Sequence, residues 1–341
     1  MIINEKEVID NLKKAKKVIL LEPKYRHPYL ALGLAKISQF VKKNGGEAIY
    51  QNDYVPQSED LICVTSLFTY DSNKVLEALY DIYFVNKNPN VLVGGIYASL
   101  MPFNIEKQYP NVKIFRGYSK VLDMVIPDYS LNNYLIPPWN DFSYIFTTRG
   151  CKNACSYCAV PKLEKEHWIN PKWKTHLNKT KQYVMVYDNN LTMQPKEHIK
   201  DVFDFFHEED KKLLFDNGLD CKYIDQDIAK ILKQAKYYRS GLRLAFDRIE
   251  DDGIFQSAIE QLLSIGIGKS NFLIYVLFNF TDTPQEAYYR MKECVRLGVR
   301  PYPQQYIPLN KTSRQPIYVG KYWTEKLVRV FRYFFFNGFI L

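Results

Sequence analysis

Long apolar runs are missing from the 341 residues. None approaches the roughly 20 needed to cross a bilayer, so no membrane-spanning helix and no membrane partner are expected. The opening stretch, MIINEKEVIDNLKKAKK, mixes acids with bases and has no apolar core. It therefore does not read as a secretory leader, and a reducing cytoplasm is the expected compartment. Cysteine is scarce, with six in the chain. A chain of this length buries about three quarters of its unfolded surface and needs no disulfide staples. Internal repeats and low-complexity segments are absent as well. What is present is 47% hydrophobic and 15% aromatic residues against 24% charged, which argues for packed cores over disorder. At roughly 150 residues per domain, two domains are expected.

The net charge of +9 is concentrated near the C-terminus. From Val295 onward Arg296, Arg300, Lys311, Arg314, Lys321, Lys326, Arg329 and Arg332 face the single acid Glu325, so eight minus one gives +7 of that total. Aromatics are interleaved with these bases, among them Tyr322, Trp323, Phe331, Phe334 and Phe339. Such a pattern can bind single-stranded nucleic acid. It equally suits an amphipathic helix over 324–336 that docks its aromatic face and leaves its bases in water, and that is the favoured expectation.

Residues 1–135 alternate short strands with amphipathic helices. Strands are predicted at 17–21, 47–50, 61–66, 91–93 and 113–115, and helices at 29–44 and 72–84. This alternation predicts an α/β domain, a doubly wound, Rossmann-like parallel sheet with helices on both faces. A proline-bearing linker, set at 136–141 within a longer irregular stretch, leads to a second run over 142–310. There the predicted strands are 142–148, 183–187, 213–216, 242–246, 271–276 and 304–307, with four helices between them. Six strand–helix units predict a partial (β/α)6 barrel of the TIM type, whose chemistry belongs at the carboxyl ends of its strands. Residues 311–341 form a basic, aromatic extension.

Three of the cysteines fall together in Arg149-Gly150-Cys151-Lys152-Asn153-Ala154-Cys155-Ser156-Tyr157-Cys158, directly after a predicted strand. Three thiolates in eight residues can converge on one metal centre. Three is one ligand short of a closed zinc site or a fully ligated iron–sulfur cubane, so a substrate or cofactor can take the open position. The alternatives are a structural zinc site completed by His167 or Cys221, in a non-catalytic nucleic-acid-binding protein, or unrelated free thiols. Cys63, Cys221 and Cys294 read as ordinary buried thiols. In the fourth core strand, period-two alternation puts Arg243, Ala245 and Asp247 on one face. Arg243 and Asp247 are about 13 Å apart along the strand, too far to pair easily, so each is expected to answer to something else.

The C-x3-C-x2-C spacing with Tyr157 before the last cysteine resembles the signature of the radical S-adenosylmethionine (radical SAM) enzymes. The resemblance implies a [4Fe–4S] cluster on Cys151, Cys155 and Cys158, with S-adenosylmethionine on the open iron. It implies reductive cleavage of that nucleotide to a 5′-deoxyadenosyl radical, fed by an electron donor of the flavodoxin or ferredoxin type. Tyr157, Asp188, Asn189, Asn217 and Asp247 are the implied nucleotide contacts, with Arg243 and Asp247 as the implied catalytic residues. Tyr187-Asp188-Asn189-Asn190 stands where relatives often carry Gly-Gly-Glu.

Residues 28–46 and Gly94-Gly95-Ile96-Tyr97-Ala98 resemble the cobalamin-binding-type domain that precedes many such cores. The Asp-x-His-x-x-Gly loop that supplies a cobalt ligand is absent, with His27 alone near the corresponding strand end. The domain is therefore either a cobalamin site, serving methyl transfer, or a sheet that covers the barrel mouth. Only Cys63 precedes Cys151, which speaks against the methylthiotransferase branch and its second cluster on three N-terminal cysteines. The expected reaction is methylation or rearrangement of a small molecule; an RNA-modifying enzyme of the same superfamily is the alternative.

Overall fold

The structure, a computed structural model, describes residues 1–26 and 28–336, and of 334–336 the backbone course only. The first 115 residues contribute β1 (Ile2–Ile3), β2 (Lys17–Leu21), β3 (Glu47–Gln51), β4 (Leu61–Ser66), β5 (Val91–Gly95) and β6 (Lys113–Phe115). They form one parallel sheet in the order β1-β6-β5-β4-β2-β3. The chain steps outward from β2 to β3 and then crosses back to β4, so the winding reverses between β2 and β4. A sheet of this kind leaves its ligand crevice at the carboxyl ends of such a strand pair.

Apolar side chains alternate across these strands because both faces are covered. Val18, Leu20, Leu61 and Cys63 pack against α1 (Glu5–Lys14) and α2 (Leu32–Lys43), through Leu12, Leu34 and Val41. Ile19, Leu21, Ile62 and Val64 face α3 (Ser72–Val85) through Val75, Leu79 and Ile82. The sequence reading passed over β1 and α1. Their signal was the capping box in which Asn4 and Glu7 satisfy each other's backbone amides.

The second run comprises β7 (Phe142–Ile145), β8 (Thr148–Arg149), β9 (Trp168–Ile169), β10 (Tyr183–Val186), β11 (Lys212–Phe215), β12 (Lys236–Tyr237), β13 (Leu242–Ala245), β14 (Phe272–Phe278) and β15 (Arg300–Gln305). Two parallel sheets, β12-β11-β10-β7 and β13-β14-β15, are joined by a parallel bridge between Leu219 and Leu244. Helices α4 (Lys196–Glu208), α5 (Gln226–Lys233), α6 (Ile254–Ser264) and α7 (Pro284–Arg296) follow β10, β12's predecessor β11, β13 and β14. They bury Val202, Phe206, Ile228, Ile259 and Met291 against Val184, Val186, Phe215, Leu244 and Ile274. The alternate residues Phe142, Tyr144, Met185 and Leu214 point the other way, into the cluster that holds Leu34 and Val41 of α2. One apolar cluster thus runs from the first sheet into the second.

Two predicted strands differ in detail. The strand predicted at 142–148 stops at Ile145 and resumes as β8, which turns antiparallel to β9. The strand predicted at 304–307 is β15, shifted upstream across Pro301 and Pro303. Both prolines are tolerated because β15 is an edge strand that bonds only to β14. In the extension, α8 (Glu325–Phe336) buries Val328 and Phe331 beside Trp323 and Phe278. Phe339 and His27 lie outside the described residues. No helix among the described residues is long and apolar enough to cross a membrane.

Candidate functional site

The three-cysteine loop leaves β8 at Gly150, whose φ of +83° belongs to the left-handed region. A Cβ at this position would sit 2.3 Å from the carbonyl oxygen of Glu166, so the close approach of the two segments requires glycine. The Glu164 carboxylate fixes the turn, accepting from the Gly150 amide at 2.8 Å and from Arg149 at 3.1 Å. Further on, the Cys158 amide donates to the Cys155 carbonyl at 3.0 Å and folds the loop back on itself.

All six thiols are free, and only the three in the loop are partly exposed. Burial pushes the Cys151 and Cys158 thiols up, but donors oppose it at each sulfur. The Val160 amide lies 3.4 Å from Cys158 Sγ, and the nearby Asn153 backbone and Asn190 side chain pull the Cys151 thiol down. Among the described residues no three His, Cys, Asp or Glu side chains stand as a ready-made metal site. That holds for Cys151, Cys155 and Cys158 as they stand, with or without His167 or Cys221.

The end of β10, implied by resemblance to contact the nucleotide, is turned toward the cysteine loop. Asp188 is buried and accepts from the Thr147 and Thr148 amides at 2.6 and 3.1 Å and from both their hydroxyls. Burial raises its carboxyl to about 6, although all four donors pull the other way. Its oxygens are thus committed to the strand that carries the cysteines. Asn189 donates to Glu164 at 2.7 Å, the same carboxylate that holds Gly150 and Arg149. Asn217 is exposed and donates to the Tyr187 carbonyl at 2.6 Å.

Tyr157 and Asp247 do come together. The Tyr157 hydroxyl donates to Asp247 Oδ2 at 3.2 Å, while Asp247 Oδ1 accepts from the Leu277 amide at 2.9 Å. Burial raises the Asp247 carboxyl, and burial together with the Asp247 charge raises Tyr157 far above the ordinary phenol. Arg243 is not left for a ligand alone. It pairs with Asp216 at the end of β11 and donates to the Tyr275 hydroxyl at 2.7 Å. The sequence reading found no partner for Arg243 because it looked along its own strand. The partner lies on the adjacent one.

Two charge clusters escaped the sequence reading. Lys36 of α2 bonds Asp123 at 2.6 Å, and Asp123 also takes Arg149 at 2.7 and 3.0 Å. The Arg149 guanidinium lies 3.4 Å from the centre of the Phe146 ring. This buried chain ties the first sheet's helix to the residue two before Cys151. The only sequence signal was Lys36, a charge on an otherwise apolar stripe of α2. The second is Arg290 of α7, fully buried, which donates to the carbonyls of Phe246, Asp247 and Leu277 at 2.8–3.0 Å. It also pairs with Asp282 at 2.6 Å. It therefore fixes the ends of β13 and β14, next to the Asp247 carboxylate.

The chain is thus a parallel α/β protein that carries a loop of three free thiols just past β8, tied to the ends of β10 and β13. No protein-family model matches the chain. Curated relatives described as ribosomal protein uS12 methylthiotransferase RimO do match part of it. The one from Afipia carboxidovorans is 33% identical over 90 residues, covering 23% of this chain and 20% of its own. The one from Nitratiruptor is 27% identical over 131 residues, covering 34% and 30%. The chain thus spans less than a third of the length of either relative. Among solved structures, coproporphyrinogen III oxidase (HemN) from Escherichia coli, described as a radical SAM enzyme, aligns with a TM-score of 0.42. That alignment has 12% identity and covers 57% of this chain and 52% of the other. Part of the chain, at most about a third of it, is thus similar in sequence to these methylthiotransferases.

Proposed function

We propose that the chain is a radical SAM enzyme in which Cys151, Cys155 and Cys158 hold a [4Fe–4S] cluster and Tyr157 and Asp247 help seat S-adenosylmethionine. The carrying observation is the Tyr157–Asp247 hydrogen bond, which closes the cysteine loop onto the end of β13. The residues fit such a cluster in chemistry. Three thiols are free and partly exposed, and the Val160 amide is aimed at the Cys158 sulfur, as a thiolate needs. When bound, the cluster supplies the electron that cleaves the sulfonium nucleotide to a 5′-deoxyadenosyl radical.

The chain's own residues do the positioning. Asp188 and Glu164 hold the strand and turn from which the cysteines project. Arg290 fixes the backbone around Asp247. In this reading residues 1–135 form a Rossmann-like covering domain, 142–310 a partial barrel, and 311–341 an extension, whose described part up to residue 336 closes the barrel's far edge. Asp188 and Asn189 are positioning residues for the loop, and Arg243 orients Asp216 and Tyr275 below the site.

Cobalamin lacks comparable support. The cavity at the carboxyl ends of β2 and β4, about 440 Å³, has the size of a small-ligand site. The proposal places the enzyme in the cytoplasm, with a flavodoxin- or ferredoxin-type donor and a small-molecule substrate. The relatives' names favour a second reading, a ribosomal protein as substrate. Against it, Cys63 is the single cysteine ahead of Cys151, and it is buried in the first sheet. Intact-mass analysis of ribosomal proteins after incubation with the reduced enzyme separates the two. The proposal itself is tested by anaerobic reconstitution with iron and sulfide, then reductant and S-adenosylmethionine. 5′-Deoxyadenosine should form with the parent chain and not with the triple alanine variant of the cysteines.

A further inference from the structure

The cavity of about 440 Å³ opens between the first sheet and the C-terminal extension. Arg26 comes from the segment after β2, and Phe68, Asp71 and Lys74 follow β4. Arg314 reaches it from the extension and Arg332 from α8. Four cations therefore surround one carboxylate. Asp71 answers only loosely, 3.9 Å from Arg314 Nε. Neither Arg26 nor Arg332 has an acidic partner among the described residues, and the Lys74 ammonium donates to the Lys24 carbonyl at 2.9 Å. Gathering like charges around one small mouth raises the local concentration of anions there.

The wall is also shaped for a flat group. Phe68 stacks on Tyr70 with centroids 4.9 Å apart and planes 10° from parallel. The Arg314 guanidinium sits 4.1 Å from the Tyr70 ring centre. Phe68 nevertheless remains 44% exposed, so a fixed ring edges the cavity uncovered. The position is where the winding of the sheet reverses, and the volume lies within the roughly 300–1,000 Å³ of small-ligand sites.

We propose that this cavity binds a small nucleoside phosphate, with its phosphates on Arg26, Lys74 and Arg332 and its base stacked on Phe68. The site shares no residue with the cysteine loop and does not depend on the proposed radical chemistry.

The test is calorimetric titration of the full chain with ADP, at low salt and without reconstitution. Saturable binding at one site is expected, with inorganic pyrophosphate competing. The pair Arg26→Gln/Arg332→Gln should weaken ADP at least about tenfold, and Phe68→Ala at least about threefold. The pair Lys200→Gln/Lys236→Gln removes the same charge from exposed positions on the second run and should change affinity less than about twofold. Absence of saturable binding by the parent overturns the proposal. So does an affinity unmoved by Arg26→Gln/Arg332→Gln, or one moved as much by the lysine pair.

Discussion

The Tyr157 hydroxyl donates to the Asp247 carboxylate across 3.2 Å, joining the last turn of the cysteine loop to the end of β13. Asp247 has a second bond, to the Leu277 amide, that Tyr157 does not share. The two side chains should therefore be unequal. Tyr157→Phe removes one hydrogen bond, about 1 kcal/mol, and should weaken S-adenosylmethionine binding to the reconstituted enzyme several-fold. Asp247→Ala also orphans a buried amide, so a loss of tenfold or more is expected. Anaerobic titration reads both, and equal affinities for parent and Asp247→Ala would remove Asp247 from the nucleotide site.

Asp188 makes stability fall with rising pH. Its folded carboxyl titrates at about 6 against an ordinary 3.8, so the folded chain keeps a proton that the unfolded chain has released. The stability this contributes is complete below 3.8 and lost as pH climbs through about 6, a change of about 3 kcal/mol. Asp188→Asn cannot titrate. Urea unfolding between pH 4 and pH 7 should show the parent losing stability relative to Asp188→Asn as pH rises. Parallel profiles would contradict the assignment.

Asp123 sits between two buried cations, Lys36 and Arg149, which hold its carboxyl down at about 2. Removing it strands the Lys36 ammonium and leaves Arg149 with Glu164 alone, so Asp123→Ala should cost about 3–5 kcal/mol. Lys36→Met leaves Asp123 paired with Arg149 and should cost clearly less. Chemical denaturation of the two variants gives the order directly. The sign for the parent is opposite to that of Asp188, with stability kept above pH 3.8 and lost as pH falls toward 2.

Gly150→Ala combines a left-handed backbone position with a Cβ pressed on the Glu166 carbonyl. The backbone alone costs about 1–2 kcal/mol, and the clash must move one arm of the turn. The variant should retain its far-ultraviolet circular dichroism and take up markedly less iron on reconstitution. Full iron uptake would show that the loop does not need this turn.

Much of this arrangement was legible in the chain. The strands at 17–21, 61–66 and 113–115 fall where the apolar runs put them, because parallel strands covered on both faces leave short unbroken hydrophobic signals. That Cys151, Cys155 and Cys158 sit in one loop directly after a strand was legible because their spacing is local. What was hidden depends on register between distant segments. Asp216 meets Arg243 across two strands, and Lys36, Asp123 and Arg149 meet from three elements, which no window along the sequence can display. Asp188 was assigned by resemblance to the nucleotide, and the structure binds its oxygens to Thr147 and Thr148, one strand away. β15 was displaced because Pro301 and Pro303 mask a strand unless its edge position is known.

Iron and acid-labile sulfide, counted per chain on oxygen-free protein alongside Mössbauer spectra, bear most directly on the central claim. The account expects about four of each in the parent, with the spectrum of a cubane, and almost none when Cys151, Cys155 and Cys158 are all alanine. One zinc per chain without iron, or a cubane that survives the triple substitution, would contradict it.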